Sequence, residues 1–307
     1  MMYKLYFLLK RIEKQTQNSK FIKKYIKYML DLIEVYFNVI KLNFYKKCFW
    51  NKKGVNTKGK RKQNIIVSLT TYPKRISTIW ITIETLLRQS VKPDKIILWL
   101  ARDEFSSIEE LPEHLKIQMK RGLEIRFCDN LRSHKKYFYV MQEYPEDIVI
   151  LVDDDMFYPY DTIKKLLKLH NKYPKDICCM TGQVMEKKGN KNKPSLWRNP
   201  EVREQLKHSD HVQIFTGSGS LYPPYSLDNT AFDKEKIQKL CPYADDLWLT
   251  MMAHRHGTKV TTYYPWRAFP ISIYGTGENS LWYINSQDGQ NDVQWKNMED
   301  FFENNRG

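Results

Sequence analysis

Three consecutive aspartates, Asp153, Asp154 and Asp155, are the residues of this sequence most suited to chemistry. They follow an apolar run at residues 147–152, and an apolar, aromatic stretch comes after them. Adjacent carboxylates repel each other, and a shared divalent cation relieves that repulsion because Mg²⁺ and Mn²⁺ prefer oxygen ligands. The alternative is a solvated acidic turn, which fits poorly with apolar flanks. The triplet therefore predicts a metal site.

A second acidic pair, Asp245 and Asp246, opens a segment with the residue pattern of a helix. Aspartate is favourable as a helix cap and in the first turn, because it complements unpaired N–H groups and the helix dipole. One of the two has a purely structural explanation on this ground. The pair is nevertheless a second candidate for proton-transfer chemistry.

Short apolar runs alternate with amphipathic segments from residue 64 onward, and this alternation positions both acidic groups. Strands are predicted at residues 64–70, 95–100, 123–128 and 147–152, and helices at 77–89, 113–121, 134–144 and 161–173, the last with an Asp161 cap. Alternation at this spacing indicates an α/β fold with a doubly wound, mostly parallel sheet. Ligands of such sheets bind beyond the carboxyl ends of the strands, where the triplet is expected.

Glycine-rich phosphate loops are absent from the first half of the body. Neither GxxxxGK[ST] nor GxGxxG occurs between residues 64 and 150. The pattern therefore disfavours P-loop enzymes and dinucleotide-dependent dehydrogenases.

The net charge of +15 is concentrated at one end of the 307-residue chain. Residues 1–63 hold 17 basic and 3 acidic residues, whereas the remainder is nearly neutral with 33 basic and 32 acidic ones. This distribution disfavours nucleic-acid binding by the body. It indicates an anionic surface as the partner of the basic segment.

Residues 1–50 are predicted to form a basic amphipathic helical arm, and residues 51–63 a solvated linker. The apolar stretches of the arm are too short and too polar to span a bilayer, and no signal-peptide pattern is present. Two alternatives remain open: the arm lies on an anionic membrane surface through residues 1–47, or it packs as a hairpin on the domain or a second subunit. Homo-oligomerisation through the arm is therefore possible.

The five cysteines are odd in number and form no CxxC motif. They predict neither a disulfide framework nor a zinc site, and we expect small core residues in a reducing, cytoplasmic compartment.

Six segments in order carry a family resemblance: SLTTYPKRI, TIETLLRQSVKPDKIILWL, VDDD, GSGSLYPP, YADDLWLTMMAHRHGTKV and NSQDGQNDVQW. Together they resemble bacterial nucleotide-sugar glycosyltransferases with a GT-A-type (Rossmann-like) fold, similar to the family-2 enzymes of polysaccharide synthesis. The resemblance implies one domain over residues 64–307. Residues 64–160 would be the nucleotide-binding half, and 161–307 the acceptor half with a C-terminal lid.

Site residues for the donor follow from the same resemblance. It implies a nucleoside-diphosphate sugar, foremost a UDP-sugar, with Mn²⁺ or Mg²⁺ as the cofactor. Asp153 and Asp155 match the metal-binding DxD carboxylates. The other donor-binding positions that match are Thr71, Tyr72 and Arg75 near the nucleoside, Asp129 near the base, Asp154 in the triplet, and Lys135 and Lys136 near the diphosphate.

Asp246 matches the general base of similar inverting enzymes, and Asp245 then has a structural or acceptor-facing role. The family more often has Glu-Asp here, so the division of labour between the two stays open. The implied reaction is direct displacement by a hydroxyl of a glycan or lipid-linked acceptor at the cytoplasmic face of the cell membrane. The rivals are a retaining glycosyltransferase, a nucleotidyltransferase and a non-catalytic protein that binds an anionic surface.

Secondary candidates lie in the second half of the chain. The GSGSLYPPY turn at 217–225 is expected near the donor sugar or is a plain surface turn. His254 and His256 are interpreted as residues that favour a helix C-terminus before Gly257. The group of His208, Asp210 and His211 is interpreted as a polar loop. Three residues are assigned to the lid: Trp282, Asn291 and Asp292.

Overall fold

The structure is a computed structural model that describes residues 2–15, 20–47, 53–186, 192–200, 204–263, 270–276, 285 and 289–304. The strands are β1 (Ile65–Thr70), β2 (Lys95–Ala101), β3 (Leu123–Cys128), β4 (Ile148–Leu151), β5 (Met156–Phe157), β6 (Ile177–Cys179), β7 (Gly182–Val184), β8 (Val212–Ile214), β9 (Ser220–Tyr222), β10 (Val260–Thr262) and β11 (Ile271–Ser272). The helices are α1 (Met2–Gln15), α2 (Lys20–Val35), α3 (Leu42–Lys47), α4 (Ile79–Leu87), α5 (Glu113–Lys120), α6 (Lys135–Glu143), α7 (Thr162–Lys172), α8 (Lys234–Leu240), α9 (Asp245–His256) and α10 (Gln290–Asn304).

Seven strands form the central sheet in the order β10-β6-β9-β4-β1-β2-β3. All neighbours are parallel except β9, which runs antiparallel to β4 and to β6. The predicted α/β class with a mostly parallel sheet is confirmed. Between β1 and β4 the order of the strands reverses, and the crevice at the carboxyl ends of these two strands is where ligands bind in such sheets.

Buried strands explain the continuous apolar runs in the sequence, since helices cover both faces of a parallel sheet. Ser68 is the polar exception in the middle of β1 and is fully buried. Its hydroxyl donates to the carbonyl oxygen of Lys136 at 2.5 Å and accepts from the Trp99 indole at 3.1 Å. These bonds hold α6 against β1 and thereby fix the start of α6 over the sheet.

Helix starts differ from the sequence prediction at two places. Asp161 stands at the cap position of α7, but its side chain makes no capping hydrogen bond and pairs with Lys165 at 3.0 Å. Asp161 is therefore the predicted cap residue by position, without the side-chain bond of a cap. Ala244 is the N-cap of α9, so Asp245 and Asp246 occupy the first helical turn.

The N-terminal arm packs on the domain. Tyr6, Ile26, Leu30 and Ile33 are buried in the same apolar core as the strands. A π-helical turn links α2 to α3 and places the Phe37 ring 5.6 Å from that of Phe157. Of the two alternatives for the arm, a hairpin packed on the domain describes this structure. No helix in the described ranges is long and apolar enough to cross a membrane.

Backbone and side-chain bonds also tie the arm and the following segment to the domain. The Asn38 amide donates to the Ser272 carbonyl oxygen at 3.3 Å and accepts from the Tyr274 N–H at 2.8 Å. Further along, Arg61 forms an ion pair with Asp94 at 2.5 Å. The described part of the segment at 53–63 is thus anchored, although most of its side chains are exposed.

Candidate active site

One large cavity, of about 1170 Å³, opens at the carboxyl ends of β1 and β4. The sequence-predicted residues that line it are Thr71, Tyr72, Arg75, Lys135, Lys136, Asp153, Asp154, Asp155, Asp245 and Asp246. The fold therefore brings the triplet and the acidic pair, which lie some ninety residues apart in the chain, into a single site.

Asp154 is the saturated member of the triplet. One of its oxygens accepts from the Thr71 hydroxyl at 2.5 Å, and the other accepts from Arg75 at 2.5 Å. The carboxyl is almost fully buried. Asp154 therefore fastens the loop after β1 to the triplet, which is a structural task.

Asp155 keeps one oxygen without a partner. Its Oδ2 lies 3.0 Å from Arg75 Nη1, but its buried Oδ1 has no hydrogen-bond partner among the described residues. Burial raises the pKa of Asp155 to about 7; Arg75 opposes this rise, and the charges of Asp154 and Asp153 add to it. Such an orphaned, crowded carboxylate fits a cation ligand.

Gly217 leaves the space in which the Asp153 carboxylate lies. A Cβ atom at position 217 would come within 2.2 Å of Asp153 Oδ2. The Tyr158 hydroxyl fixes the same contact, since it accepts from the Asp153 N–H and donates to the Gly217 carbonyl oxygen, both at 2.8 Å. The turn beginning at Gly217 is therefore part of the site, and Tyr158 is a supporting residue without a sequence signal.

Across the described ranges, no group of three or more His, Cys, Asp or Glu side chains is arranged to hold a metal ion. Mg²⁺ in phosphate-transfer sites is usually held by one or two carboxylates together with substrate phosphates. The bare oxygen of Asp155 and the cradled Asp153 fit that type of ligand set.

The two aspartates of the acidic pair also differ in how many of their oxygens have partners. Asp245 is buried; its Oδ2 lies 2.8 Å from Lys136 Nζ and 3.2 Å from Thr216 Oγ1. Burial favours the neutral form, but Lys136 outweighs it and lowers the pKa of Asp245. Asp245 is therefore a fixed anion.

Asp246 is only partly engaged. Its Oδ1 accepts from the N–H of Thr216 at 2.9 Å and from the Thr216 hydroxyl at 2.5 Å, while its Oδ2 has no partner within the described part of the chain. Burial, followed by the charge of Asp245, raises the pKa of Asp246 to about 7. A largely buried carboxylate with one free oxygen and a pKa near neutrality suits a general base.

Lys136 joins the two acidic groups. Its side chain is 3% exposed, and its ammonium lies 2.6 Å from Asp153, 2.7 Å from the Thr216 hydroxyl and 2.8 Å from Asp245. An ammonium has three N–H donors, so this set uses all of them. The expected contact of Lys136 with a diphosphate does not fit this geometry.

Lys135 is also buried and lies 3.3 Å from Glu104. Arg132, which sequence reasoning missed, lines the cavity with its guanidinium 4.6 Å from the centre of the Tyr243 ring. No carboxylate lies within ion-pair distance of Arg132 in the described ranges. Its backbone is left-handed, with φ at 51°, which gave no recognisable signal in the sequence.

Asp129 is the predicted residue that the fold does not bring to the cavity. It is exposed after β3 and pairs with Lys234 at 2.5 Å, and its neighbour Asn130 lines the cavity instead. The expectation that Asp129 meets the base is therefore not supported by its position.

Some of the secondary candidates line the cavity, and others lie away from it. Gly257 ends α9 in the left-handed conformation with φ at 78°, which agrees with a helix-end interpretation of His254 and His256. His208 pairs with Asp176 at 2.9 Å away from the cavity. Two residues assigned to the lid, Asn291 and Asp292, line the cavity, and Trp282 lies outside the described residues.

A known family matches this chain: the profile described as "Glycosyl transferase family 2" covers residues 66–231. No curated protein matches. Among solved structures, S. aureus TarS 1-349 is similar, with 14% identity, coverage of 79% of this chain and 74% of that chain, and a TM-score of 0.46. The mannosyltransferase PcManGT from Pyrobaculum calidifontis, in complex with GDP-Man and Mn²⁺, has 11% identity, coverage of 99% and 76%, and a TM-score of 0.45.

Proposed function

The chain belongs to glycosyl transferase family 2, and from this premise we propose that it is an inverting, metal-dependent enzyme of surface-polysaccharide synthesis. It would move a sugar from a nucleoside-diphosphate sugar, foremost a UDP-sugar, to a hydroxyl of a glycan or lipid-linked acceptor. The observation that carries the proposal is the cavity in which Lys136 bridges the triplet and the acidic pair. Donor and acceptor chemistry thus meet at one place.

The nucleoside is proposed to lie between the ends of β1 and β3. Thr71 and Tyr72 line the cavity after β1, and Asn130 lines it after β3. Arg132 is proposed to face the diphosphate, because the ammonium groups of Lys135 and Lys136 are already committed to carboxylates. A planar guanidinium also suits phosphate oxygens better than a point charge.

Charge supports the requirement for a metal. The five aspartates of the triplet and the pair line the cavity, and among the described residues two cations there, Arg75 and Lys136, form ion pairs with them. A bound diphosphate adds further negative charge. When bound at Asp155 and Asp153, Mn²⁺ or Mg²⁺ would supply positive charge that stabilises the departing nucleoside diphosphate.

Asp246 is proposed to take the proton of the acceptor hydroxyl. Thr216 holds Oδ1, so Oδ2 is the oxygen available for that proton. The acceptor oxygen then forms a bond to the anomeric carbon while the bond from that carbon to the diphosphate breaks, with inversion. Lys136 keeps Asp245 charged, and that charge in turn makes Asp246 a stronger base.

Donor turnover tests this proposal. We would incubate the full chain with UDP-glucose, UDP-galactose, UDP-N-acetylglucosamine or GDP-mannose and Mn²⁺, and follow nucleotide release and the anomeric proton by NMR. We expect release from one donor with an inverted sugar product. Retention of configuration would remove Asp246 from its role as base, and release from no donor would contradict the transferase proposal.

The arm is proposed to dock on an anionic membrane surface at the cytoplasmic face. Eleven of the fifteen exposed large apolar side chains in the described ranges lie on it. Lys23, Lys24 and Lys27 are exposed beside them. An apolar face of this size with flanking lysines fits a membrane interface.

Vesicle flotation tests the arm. We expect the full chain to float with phosphatidylglycerol vesicles, less with phosphatidylcholine, and less in high salt because salt screens the lysines. Phe21→Glu combined with Tyr25→Glu should abolish flotation, and Tyr160→Glu, at an exposed site on the domain, should not. Equal flotation of both variants would contradict this surface, and a stable dimer in its place would assign the face to a second copy.

A further inference from the structure

Two glutamines are paired across the small sheet that borders the cavity. Gln183 of β7 stands directly opposite Gln213 of β8, and both line the cavity. Side chains in such a cross-strand pair share a face, with Cβ atoms about 4.5–5.5 Å apart. Val212 and Ile214 alternate with Gln213 and lie in the apolar core, so the strand pairing itself directs the two amides into the cavity.

Gln213 is nearly buried and yet has no partner. The residue is 5% exposed, its amide is open to the cavity that it lines, and no other described residue hydrogen-bonds that amide. Gln183 is held in place because its Nε2 donates to the Trp197 carbonyl oxygen at 3.0 Å. Its Oε1 takes no part in that bond. The Gln213 amide is therefore available to donate to and accept from a ligand in the cavity.

The Gln183–Gln213 pair lies next to the turn that holds Asp246, the proposed base. β8 leads within two residues into Thr216, which holds Asp246 through its N–H and hydroxyl. Ile214 of β8 is bonded to α9, the helix that carries Asp246, because the Ile214 N–H donates to the Thr250 hydroxyl at 3.0 Å. The two amides therefore border the side of the cavity that holds the base, where an acceptor must place its hydroxyl.

The rest of this wall is polar and carries no basic side chain among the described residues. Ser195, Asn199 and Asn291 line it, and the Asp292 carboxylate accepts from the Ser195 N–H at 2.9 Å and from its hydroxyl at 2.6 Å. The basic residues that line the described cavity lie on other elements: Lys10 in α1, Arg75 after β1, and Arg132, Lys135 and Lys136 at the start of α6.

We propose that Gln183 and Gln213 form an acceptor subsite that recognises the hydroxyl groups of an uncharged saccharide next to Asp246. This inference rests on the proposed function and names the acceptor class. A primary amide both donates and accepts, which matches a sugar hydroxyl that does the same. A phosphorylated acceptor group would instead need a cation, and this wall presents none within the described residues.

The test compares acceptors and variants in the same assay of nucleotide release. The acceptor probes are methyl glycosides of glucose, galactose, mannose and N-acetylglucosamine, and the 6-phosphates of the same sugars. Gln213→Leu keeps the approximate shape of the side chain but removes the amide. Gln205→Leu is the matched control, because the Gln205 amide bonds the Thr262 carbonyl oxygen and does not line the cavity.

We expect a neutral glycoside to stimulate nucleotide release. We expect Gln213→Leu to raise the KM for that glycoside by about three- to tenfold, the effect of one neutral hydrogen bond. The KM for the donor and the slow hydrolysis of the donor should stay unchanged, as should all constants of Gln205→Leu.

Some results would contradict the acceptor subsite while leaving the transferase activity intact. One is stimulation by sugar phosphates but not by neutral glycosides, and another is a Gln213→Leu variant with a wild-type acceptor KM. An enzyme that hydrolyses its donor but responds to no neutral glycoside also overturns it. If no donor is turned over at all, the proposed function fails first and the subsite fails with it.

Discussion

The acidic triplet and the acidic pair differ in position but follow one plan. In each, one aspartate is saturated by neighbours, Asp154 in the triplet and Asp245 in the pair. In each, another keeps an oxygen without a partner among the described residues, Asp155 and Asp246. The comparison teaches that adjacent identical residues divide into a structural anion and a reactive one through their neighbours alone.

The two groups also differ in what holds them. Arg75 fastens the triplet and reaches the Thr276 carbonyl oxygen at 2.8 Å, so the triplet is linked to the C-terminal segment. Thr216 and Lys136 fasten the pair, and Lys136 alone contacts both groups. These differences support the proposed roles, in which the triplet binds a cation and the pair exchanges a proton.

The largest expected effect comes from the free carboxylate of the pair. Asp246→Asn keeps the shape and the bonds to Thr216 but cannot take a proton, so kcat should fall by about 10²–10⁴-fold. Nucleotide binding in the presence of Mn²⁺, followed by calorimetry, should stay at the wild-type level. A variant with unchanged kcat would show that Asp246 is not the base.

The second-largest effect is expected for Lys136, the residue that joins the triplet to the pair. Lys136→Met leaves Asp153 and Asp245 without their buried cation, which typically costs about 3–5 kcal/mol of unfolding free energy. Urea denaturation of the full chain measures it. Lys135→Met is the matched control and should cost less, because its partner Glu104 is partly exposed. Equal losses in the two variants would contradict a special role for Lys136.

The dependence of the rate on pH tests the proposed role of Asp246 in the pair. Because the pKa of Asp246 is raised to about 7, the base is active above that pH and protonated below it. The rate at saturating Mn²⁺ should fall about tenfold per pH unit below 7 and level off above it. Thr216→Val removes a hydrogen bond that lowers this pKa, so the acid limb should move to higher pH. A limb that stays in place would show that another group controls it.

The smallest effect is expected outside the cavity. Asp129→Ala removes a carboxylate that pairs with Lys234 on the surface, so the donor KM should change by less than about twofold, as for an exposed ion pair. Asn130→Ala, at the neighbour that does line the cavity, should raise the donor KM more. The reverse order would restore the sequence-based expectation for Asp129.

Sequence patterns were sufficient for the first half of the body. The four predicted strands appear as β1 to β4 within one residue at either end. In β1, β2 and β4 nearly every residue is buried and the sequence is almost continuously apolar, whereas the edge strand β3 alternates apolar residues with Glu124 and Arg126. The triplet at the end of β4 followed directly from that periodicity.

Contacts between distant segments could not be predicted in this way. Lys136 and Thr216 are eighty residues apart, and their bond depends on how α6 and the turn after β8 pack on the sheet. The short strands β7 and β8 carry too few residues for a period to appear, so the Gln183–Gln213 pair had no sequence signal. The packed arm was only one of two alternatives, since amphipathicity does not identify what covers the apolar face.

The most direct test of the division between the two groups is a thermal-shift comparison of wild type, Asp155→Asn and Asp246→Asn. Each would be titrated with UDP and with GDP, with and without Mn²⁺, because a ligand at a hundred times its Kd stabilises the native state by about 2.7 kcal/mol. We predict a Mn²⁺-dependent shift with one nucleotide in the wild type and in Asp246→Asn, and none in Asp155→Asn. An identical shift in all three proteins, or its loss in Asp246→Asn alone, would contradict separate roles for the triplet and the pair.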